Sequence, residues 1–291
     1  MSEVILEIKN LTKYYGDILG VKDLSLTLNE GEIFGFIGPN GAGKSTTIRS
    51  IMNLIKKDKG NVFINGKEFD KDDIETKKII GYLPSEINLY DDLTVKEILN
   101  YHESFYKSDI HDNRCKLVKR LNLDESKKIE DLSLGNLKKL GIVLAFMHEP
   151  KILILDEATS GLDPIMQQEF YKMLKEEKEK GTTIFYSTHI LSEVAKICDR
   201  VGIIKDGNLL KIETIDEVKN KNLTNVFIES DDIDKIIEEL NLDKTLKNNK
   251  SIKFKNELNI DILIKKLSNY KISKLLIEEG TLEDIFLHYY K

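Results

Sequence analysis

The chain has 291 residues, a length that fits one large domain with a small additional one. Its 44 Lys and Arg residues and 50 Asp and Glu residues give a net charge of −6, and neither end carries a charged tail, so a nucleic-acid-binding surface is not expected. Apolar residues at 41% and charged residues at 32% are typical of a globular chain and exclude a disordered one.

Targeting signals are also absent from the sequence pattern. No apolar run approaches the about 20 residues that a bilayer span needs. The first ten residues contain Glu3 and no apolar segment of the kind found in signal peptides. Cys115 and Cys198 are isolated thiols, which favours a reducing compartment. We therefore expect a cytoplasmic protein without a membrane span.

The first 85 residues alternate between strand patterns and one helix. Alternating apolar and polar residues predict half-buried strands at 3–9 and 25–28, and a continuous apolar run predicts a buried strand at 33–37. A glycine-rich turn precedes a helix predicted from about Lys44 to Ile55. Residues 61–65, followed by Gly66, are typical of a hairpin edge.

A helical stretch at about 86–150 separates these elements from a second group of strands. Thr94 and Glu97 form a capping-box pattern, and an apolar stripe predicts a further helix over 137–147. Asp163 followed by Pro164 predicts the start of a helix that runs towards Lys180. The remaining predictions are strands at 152–155, 183–187 and 201–205 and a helix at 190–198.

The pattern changes after about Thr214. Short strands predicted at 226–229, 252–255 and 273–277 alternate with helices predicted at 232–240, 260–267 and 281–289. The sequence thus predicts a large unit over 1–215, with a helical subdomain at about 86–150, and a small α+β appendix over 216–291.

A phosphate-binding motif lies between the buried strand at 33–37 and the helix that follows it. The match to G-x-x-x-x-G-K-[ST] is formed by Gly38, Pro39, Asn40, Gly41, Ala42, Gly43, Lys44, Ser45 and Thr46. Glycines allow successive backbone N–H groups to surround an anion, and the helix N-terminus adds its positive dipole end. Lys44 supplies a point charge for the β- and γ-phosphates and Ser45 a ligand for Mg²⁺. The alternative, a glycine-rich turn without a ligand, is disfavoured by the flanking strand and helix.

Two carboxylates follow the apolar strand at 152–155. Asp156 and Glu157 emerge at its C-terminal end, where open α/β sheets bind ligands. We expect Asp156 to hold Mg²⁺, through a water, and Glu157 to polarise the water that attacks the γ-phosphate. Two solvated acids after a strand are the alternative. The phosphate loop favours the functional interpretation.

Taken in order, these motifs resemble the ATP-binding cassette of ABC transporters over about residues 1–215. Tyr15 matches the aromatic residue that stacks on adenine in that family, and His189 matches its switch histidine at the γ-phosphate. Residues 132–136, Leu-Ser-Leu-Gly-Asn, stand where the signature LSGGQ belongs, and 160–163, Ser-Gly-Leu-Asp, match the D-loop. The resemblance implies an α/β P-loop NTPase fold, with a mixed sheet core, an antiparallel β edge and a helical insert.

The resemblance also implies partners and shared site residues. In the family, the signature segment binds the ATP held by a second subunit, so Ser133, Gly135 and Asp163 are expected at the nucleotide of the other copy, a homodimer. ATP and Mg²⁺ are the implied cofactors. A separate transmembrane permease is the implied partner, and no nucleic acid is expected.

Some positions depart from the family pattern. Leu134 replaces a glycine and Asn136 a glutamine, and because leucine resists a positive φ, the signature segment is expected to sit differently. Ser85, followed by Glu86, stands where the family has a glutamine that touches Mg²⁺. We expect Ser85 to reach the metal through water, or Glu86 to substitute, with slower or differently coupled hydrolysis.

The predicted function is that of an ATP-hydrolysing subunit that energises export, located at the inner face of the membrane. Its chain ending resembles the ATP-binding subunits of bacterial drug and antibiotic-peptide exporters. The alternative is a non-transport ABC ATPase that acts on ribosomes or DNA, which the missing basic patch disfavours. A third class of protein, a P-loop kinase or GTPase, would not explain the presence of the signature segment or of His189.

Overall fold

The computed structural model describes residues 3–106, 110–219, 224–256 and 258–279. The chain separates into two compact units, the first ending at Thr214 and the second beginning at Ile215. No helix in these four ranges is both long enough and apolar enough to cross a bilayer.

The first unit combines strands and helices in an order that starts and ends with β-structure. Its elements are β1 (Val4–Tyr15), β2 (Ile18–Asn29), β3 (Ile33–Ile37), α1 (Lys44–Ile51), β4 (Lys59–Ile64), β5 (Lys67–Glu68), α2 (Ile74–Lys78), β6 (Ile80–Leu83), α3 (Val95–Glu103), α4 (His111–Arg120), a 3-10 turn (Ile129–Asp131), α5 (Leu134–Phe146), β7 (Ile152–Asp156), α6 (Pro164–Glu179), β8 (Thr183–Thr188), α7 (Leu191–Ile197), β9 (Arg200–Lys205) and β10 (Asn208–Thr214).

A six-stranded sheet of order β10-β9-β3-β8-β7-β6 forms the centre of this unit. Strands β3, β6, β7, β8 and β9 are parallel, and β10 pairs antiparallel with β9. Every residue of β3 and β7 is buried, which agrees with their continuous apolar runs. Because parallel strands end at the same edge, the segments that follow β3, β6, β7 and β8 meet there.

A second sheet, of order β2-β1-β4-β5, is antiparallel throughout. The β1–β2 hairpin turns at Gly16 and Asp17, and β4 turns into β5 through Asn65 and Gly66, both at positive φ. The faces of both sheets contribute to one apolar cluster, in which Phe34 and Phe36 lie against Phe185. The mixed central sheet and the antiparallel edge confirm the predicted fold class.

Helices α3, α4 and α5 form the insert between β6 and β7. Thr94 caps α3 in a complete capping box with Glu97, as predicted. Arg114 of α4, which is almost fully buried, bonds to Glu103 and Glu125 and so ties two helices to the loop after them. The predicted helical insert is therefore present.

Two predicted helix boundaries were wrong. Helix α5 begins at Leu134 rather than near Leu137, because the Ser133 side chain accepts a hydrogen bond from the Asn136 amide and caps it there. Helix α1 ends at Ile51 rather than Ile55, and Asn53 follows it at a φ of 53°. Strand β6 was not predicted.

The second unit is a small α+β domain, as predicted. Its elements are α8 (Ile215–Lys219), β11 (Thr224–Ser230), α9 (Ile233–Glu239), a 3-10 turn (Lys244–Leu246), β12 (Lys247–Asn248), β13 (Ser251–Asn256), α10 (Ile260–Leu267) and β14 (Ile272–Glu279). The sheet order is β12-β13-β11-β14, and its apolar core includes Val226, Ile228, Ile236 and Leu263. The helix predicted at 281–289 lies outside the described residues.

Candidate active site

The phosphate loop connects β3 to α1. Gly41 and Gly43 have φ values of 81° and 105°, which disfavour other residues. A Cβ on Gly43 would lie 2.4 Å from the Gly20 carbonyl oxygen, and one on Gly38 would lie 2.4 Å from that of Ile204. Lys44 is 5% exposed, and its Nζ donates to the carbonyl oxygens of Gly38, at 2.8 Å, and Pro39, at 3.1 Å. The Lys44 ammonium is therefore hydrogen-bonded to the phosphate loop itself.

The acidic pair lies at the end of β7, as predicted. Asp156 is 1% exposed, and its carboxylate accepts a hydrogen bond from the Ser187 hydroxyl at 3.0 Å. Glu157 adopts a left-handed φ of 48°, while its amide donates to the Ser187 carbonyl oxygen. This backbone conformation is costly for glutamate. The two neighbouring carboxylates have different partners, Ser187 for Asp156 and His189 for Glu157.

Two of the predicted groups converge on one carboxylate oxygen of a third. Glu157 Oε1 lies 3.5 Å from Lys44 Nζ and 3.2 Å from His189 Nδ1. His189 follows β8, the neighbour of β7 in the sheet, so the parallel topology accounts for their proximity. The phosphate-loop lysine, the acidic strand end and the histidine thus form a single cluster.

An open cleft of about 480 Å³ lies beside this cluster. The volume is in the range of small-molecule sites. Its walls are formed by the end of the β1–β2 hairpin, the phosphate loop, the segment after β6 and the acidic strand end, namely Tyr15, Ile18, Leu19, Gly20, Asn40, Gly41, Gly43, Lys44, Ser45, Thr46, Ser85, Glu86 and Glu157. Tyr15 is 44% exposed there. The structure therefore brings Tyr15 and Ser85 to the predicted phosphate site.

The same cleft contains oxygen ligands suited to a hard divalent cation. Ser45 lines it, and Asp156 lies at the adjoining strand end, oriented by Ser187. In the described part of the chain, no group of three His, Cys, Asp or Glu side chains is arranged to hold a metal. Magnesium does not need such a group, because it usually takes one or two protein oxygens, several waters and substrate phosphates. The residues therefore fit Mg²⁺ together with a nucleotide.

The signature segment lies elsewhere. Among the described residues, Ser133, Gly135 and Asp163 are not part of the cleft wall. Leu134 is 66% exposed and begins α5 without a positive φ, so the backbone at this position accommodates a leucine. A Cβ on Gly161 would lie 2.8 Å from the Leu134 side chain, so the D-loop lies directly against the signature segment.

Asp163 caps α6, as predicted. Its carboxylate accepts hydrogen bonds from the amides of Ile165 and Met166, and Pro164 occupies the first turn. Capping therefore explains why an aspartate stands at position 163. Both hydrogen bonds use Oδ1, so Oδ2 takes no part in the cap.

A buried carboxylate that the sequence did not reveal links the two sides of the site. Glu193 of α7 is 3% exposed and accepts hydrogen bonds of 2.6–2.9 Å from the hydroxyls of Thr159, Tyr171, Tyr186 and Thr188. Thr188 precedes His189, and Thr159 lies two residues after Glu157. In the sequence, Glu193 resembles an ordinary first-turn helix residue, and no local pattern distinguishes it. Only the fold supplies its hydroxyl partners.

Comparison with known proteins gives consistent results. The sequence pattern of the ABC transporter family matches residues 21–160. The linearmycin resistance ATP-binding protein LnrL of Bacillus subtilis is 38% identical over 215 residues, which cover 72% of this chain and 69% of that protein. The bacitracin transport ATP-binding protein BcrA of Bacillus licheniformis is 39% identical over 222 residues, or 75% of this chain and 72% of that protein.

Solved structures of ATP-binding subunits are also similar to this chain. An ATP-binding subunit of an ABC transporter superposes with a TM-score of 0.68 at 28% identity, covering 91% of this chain and 99% of that one. A dimeric ATP-binding cassette in a post-hydrolysis state, bound to ADP and Pi, gives a TM-score of 0.66 at 27% identity, covering 72% of this chain and 99% of that one. The chain belongs to the ABC transporter family of ATP-binding proteins and is an ATPase.

Proposed function

We propose that the chain is the ATP-hydrolysing subunit of an exporter whose permease is a separate transmembrane chain, and that it docks on the inner face of the membrane. Relatives named for linearmycin resistance and bacitracin transport support an export role. Exposed aromatic side chains of the helical insert support docking, since Tyr90 is 66% exposed and the exposed rings of Tyr101 and Phe105 contact each other.

The observation that carries the ATP-hydrolysing part of this proposal is the convergence of Lys44 and His189 on Glu157 Oε1. In the proposed mechanism, the loop from Gly38 to Thr46 surrounds the phosphates of ATP, and Tyr15 stacks on the adenine. Phosphate oxygens are stronger acceptors for the Lys44 ammonium than the Gly38 and Pro39 carbonyls and compete with Glu157 for it. Nucleotide binding therefore frees Glu157 to orient a water molecule in line with the γ-phosphate.

The products are ADP and inorganic phosphate, and the bond that breaks joins the β–γ bridging oxygen to the γ-phosphorus. His189, which lies beside Glu157, would donate a hydrogen bond to the γ-phosphate. Ser45 and Asp156, with Ser85 acting through water, would hold Mg²⁺. The metal would neutralise charge that develops on the β- and γ-phosphate oxygens.

We further propose that two copies form one functional unit. The support is that Ser133 and Gly135 begin α5 outside the cleft of their own chain, where free amides and a positive helix end are available to an anion. A second copy would present its nucleotide to them. Dimeric cassettes among the solved relatives are consistent with this arrangement.

The domain roles follow from the same proposal. Residues 1–215 would form the cassette, with the helical subdomain at about 86–150 contacting the permease, and 216–291 would form the accessory domain. The division of the chain between Thr214 and Ile215 supports this assignment.

Purification from membranes tests the proposal. The tagged chain, solubilised gently from its own cells, should carry with it a polytopic membrane protein, and that complex should hydrolyse ATP. The Lys44→Ala variant provides the control for nucleotide-dependent association. Recovery with ribosomes or DNA, and without any membrane protein, would instead support the non-transport alternative.

A single substitution tests the segment after β6. Ser85→Gln should raise permease-coupled ATPase activity, on the order of tenfold, because the longer amide side chain reaches a metal at Asp156 without an intervening water. ATPase rates of the complex are compared with those of Ser273→Gln, an exposed serine in the second unit. Equal rates for both variants in the presence of the permease would show that the side chain at position 85 has no role in coupling.

A further inference from the structure

A buried lysine connects three parts of the active-site region. Lys138 lies in the second turn of α5 and is 2% exposed. Its Nζ donates to the backbone carbonyl oxygens of Ser85 at 3.0 Å, Pro84 at 3.4 Å and Glu157 at 3.5 Å. An ammonium group has three protons to donate, so these acceptors match its capacity. One side chain of α5 thus holds both the segment after β6 and the residue after β7.

The location is costly for a cation. Burial lowers the pKa of the Lys138 ammonium, and the nearby carboxylates of Asp156 and Glu157 raise it in part. Carbonyl oxygens offset the desolvation of a charge less well than a paired carboxylate does. An apolar side chain of similar length would avoid this penalty but would leave the Pro84 and Ser85 carbonyl oxygens without the donor that Lys138 provides. The lysine is therefore retained at a desolvation cost, and what it provides in return is the connection to these carbonyls.

Close packing strengthens the connection. Gly141 lies one helical turn after Lys138, on the same face of α5. A Cβ at Gly141 would lie 2.4 Å from Ile87 Cδ1 and 2.7 Å from Leu83 Cδ1. The helix therefore lies directly on the segment 83–87 at two points, Lys138 and Gly141. A displacement of α5 must move that segment or break these contacts.

The signature segment lies at the N-terminal end of the same helix, α5. Ser133 caps α5 five residues before Lys138, a rise of about 7.5 Å along the helix axis. We propose that Lys138 is a positioning residue that transmits nucleotide binding at the N-terminus of α5 to Ser85 and Glu157 of the same chain, and so couples the two ATP sites of the dimer. This inference rests on the proposed two-copy arrangement.

The transmission through Lys138 involves no covalent change, because only hydrogen bonds shift. When the α5 N-terminus engages the nucleotide of the second copy, the helix and Lys138 move as one body, because an α-helix is internally hydrogen-bonded. The ammonium carries the Ser85 and Glu157 carbonyls with it, which sets the position of the Glu157 side chain relative to its own nucleotide. Binding at one site thereby prepares hydrolysis at the other.

Steady-state ATPase of the purified full-length chain provides the test, with Lys138→Met as the main variant. Its turnover number should fall about tenfold or more, its KM for ATP should change less than about threefold, and its Hill coefficient should fall from above 1 to 1. Lys138→Gln keeps donors for the carbonyls and should retain most of the turnover and of the Hill coefficient. Lys139→Met, the neighbour on α5, is the matched control and should behave as wild type.

Hydrogen exchange gives a readout separate from turnover. In a Glu157→Gln background, ATP should slow amide exchange over 85–87, and Lys138→Met should abolish this protection while the dimer still forms. Unchanged turnover and Hill coefficient in Lys138→Met, equal losses in the Met and Gln variants, or a wild-type Hill coefficient of 1 would each overturn the inference. If neither Lys138→Met nor Lys138→Leu folded, Lys138 would serve stability alone, which also overturns it.

The two proposals fail in different ways. If Glu157→Gln formed no dimer with ATP, the two-copy arrangement would be wrong. If that dimer formed and Lys138→Met still behaved as wild type, only the role of Lys138 would be wrong.

Discussion

Replacing Lys44 by alanine should lower the affinity for ATP by about 100-fold or more. The Nζ is held at the phosphate loop, and each hydrogen bond from a cation to a phosphate contributes roughly 1.5–3 kcal/mol, so the loss of two such bonds accounts for the effect. Titration calorimetry with ATP measures it directly. The loop amides and the α1 N-terminus stay in place, so residual weak binding is expected.

The Lys44 result needs a charge-matched control. Lys139→Ala removes the same charge from a position outside the cleft and should bind ATP as wild type does. Far-ultraviolet circular dichroism establishes that both variants are folded. An unchanged dissociation constant in Lys44→Ala would contradict the assignment of residues 38–46 as the phosphate loop.

Replacing Glu157 by glutamine should leave ATP binding intact and slow hydrolysis by about 10²–10⁴-fold, the usual contribution of a group that polarises the attacking water. Glutamine keeps the shape of glutamate but cannot take up a proton. ATP should therefore persist in the site and hold two copies together. Single-turnover hydrolysis and the molar mass of the ATP complex by light scattering are the measurements.

Glu149 provides a matched control for Glu157. It lies three residues before the start of β7, whereas Glu157 directly follows the strand, and both have a left-handed φ, of 52° and 48° respectively. Glu149→Gln therefore makes the same chemical change in the same backbone conformation at the opposite end of the strand. It should hydrolyse ATP at the wild-type rate. Normal turnover in Glu157→Gln would exclude that carboxylate as the water-orienting group.

Local patterns in the sequence were sufficient for much of the fold. The apolar runs at β3 and β7 and the Thr94 and Asp163 caps appear at the predicted residues. These features depend on neighbours within a few positions, so their physics is contained in short stretches of chain. Boundaries set by less obvious caps were missed, as at Ser133, where a hydrogen bond from Asn136 starts α5 three residues early.

The residues of the candidate site were predicted from the sequence, but the hydrogen bonds that connect the segments around it were not. The phosphate loop, Ser85 and Glu157 line one cleft because they follow parallel strands that end at one edge of the sheet, and Tyr15 reaches it from β1 of the antiparallel sheet. The hydroxyls around Glu193 and the carbonyls around Lys138 come from distant segments, and neither residue stands in a recognisable motif.

The sequence alone determined that this chain has a phosphate-binding loop, an acidic strand end and a helical insert, because each of these features is formed by residues close together in the chain, and their order gave the resemblance that implied an ATPase. The tertiary structure alone decided which buried groups connect these motifs. A buried carboxylate or ammonium is tolerated only where the fold supplies hydrogen-bond partners, and those partners lie far away along the chain. For this reason Glu193 and Lys138 became visible only in three dimensions.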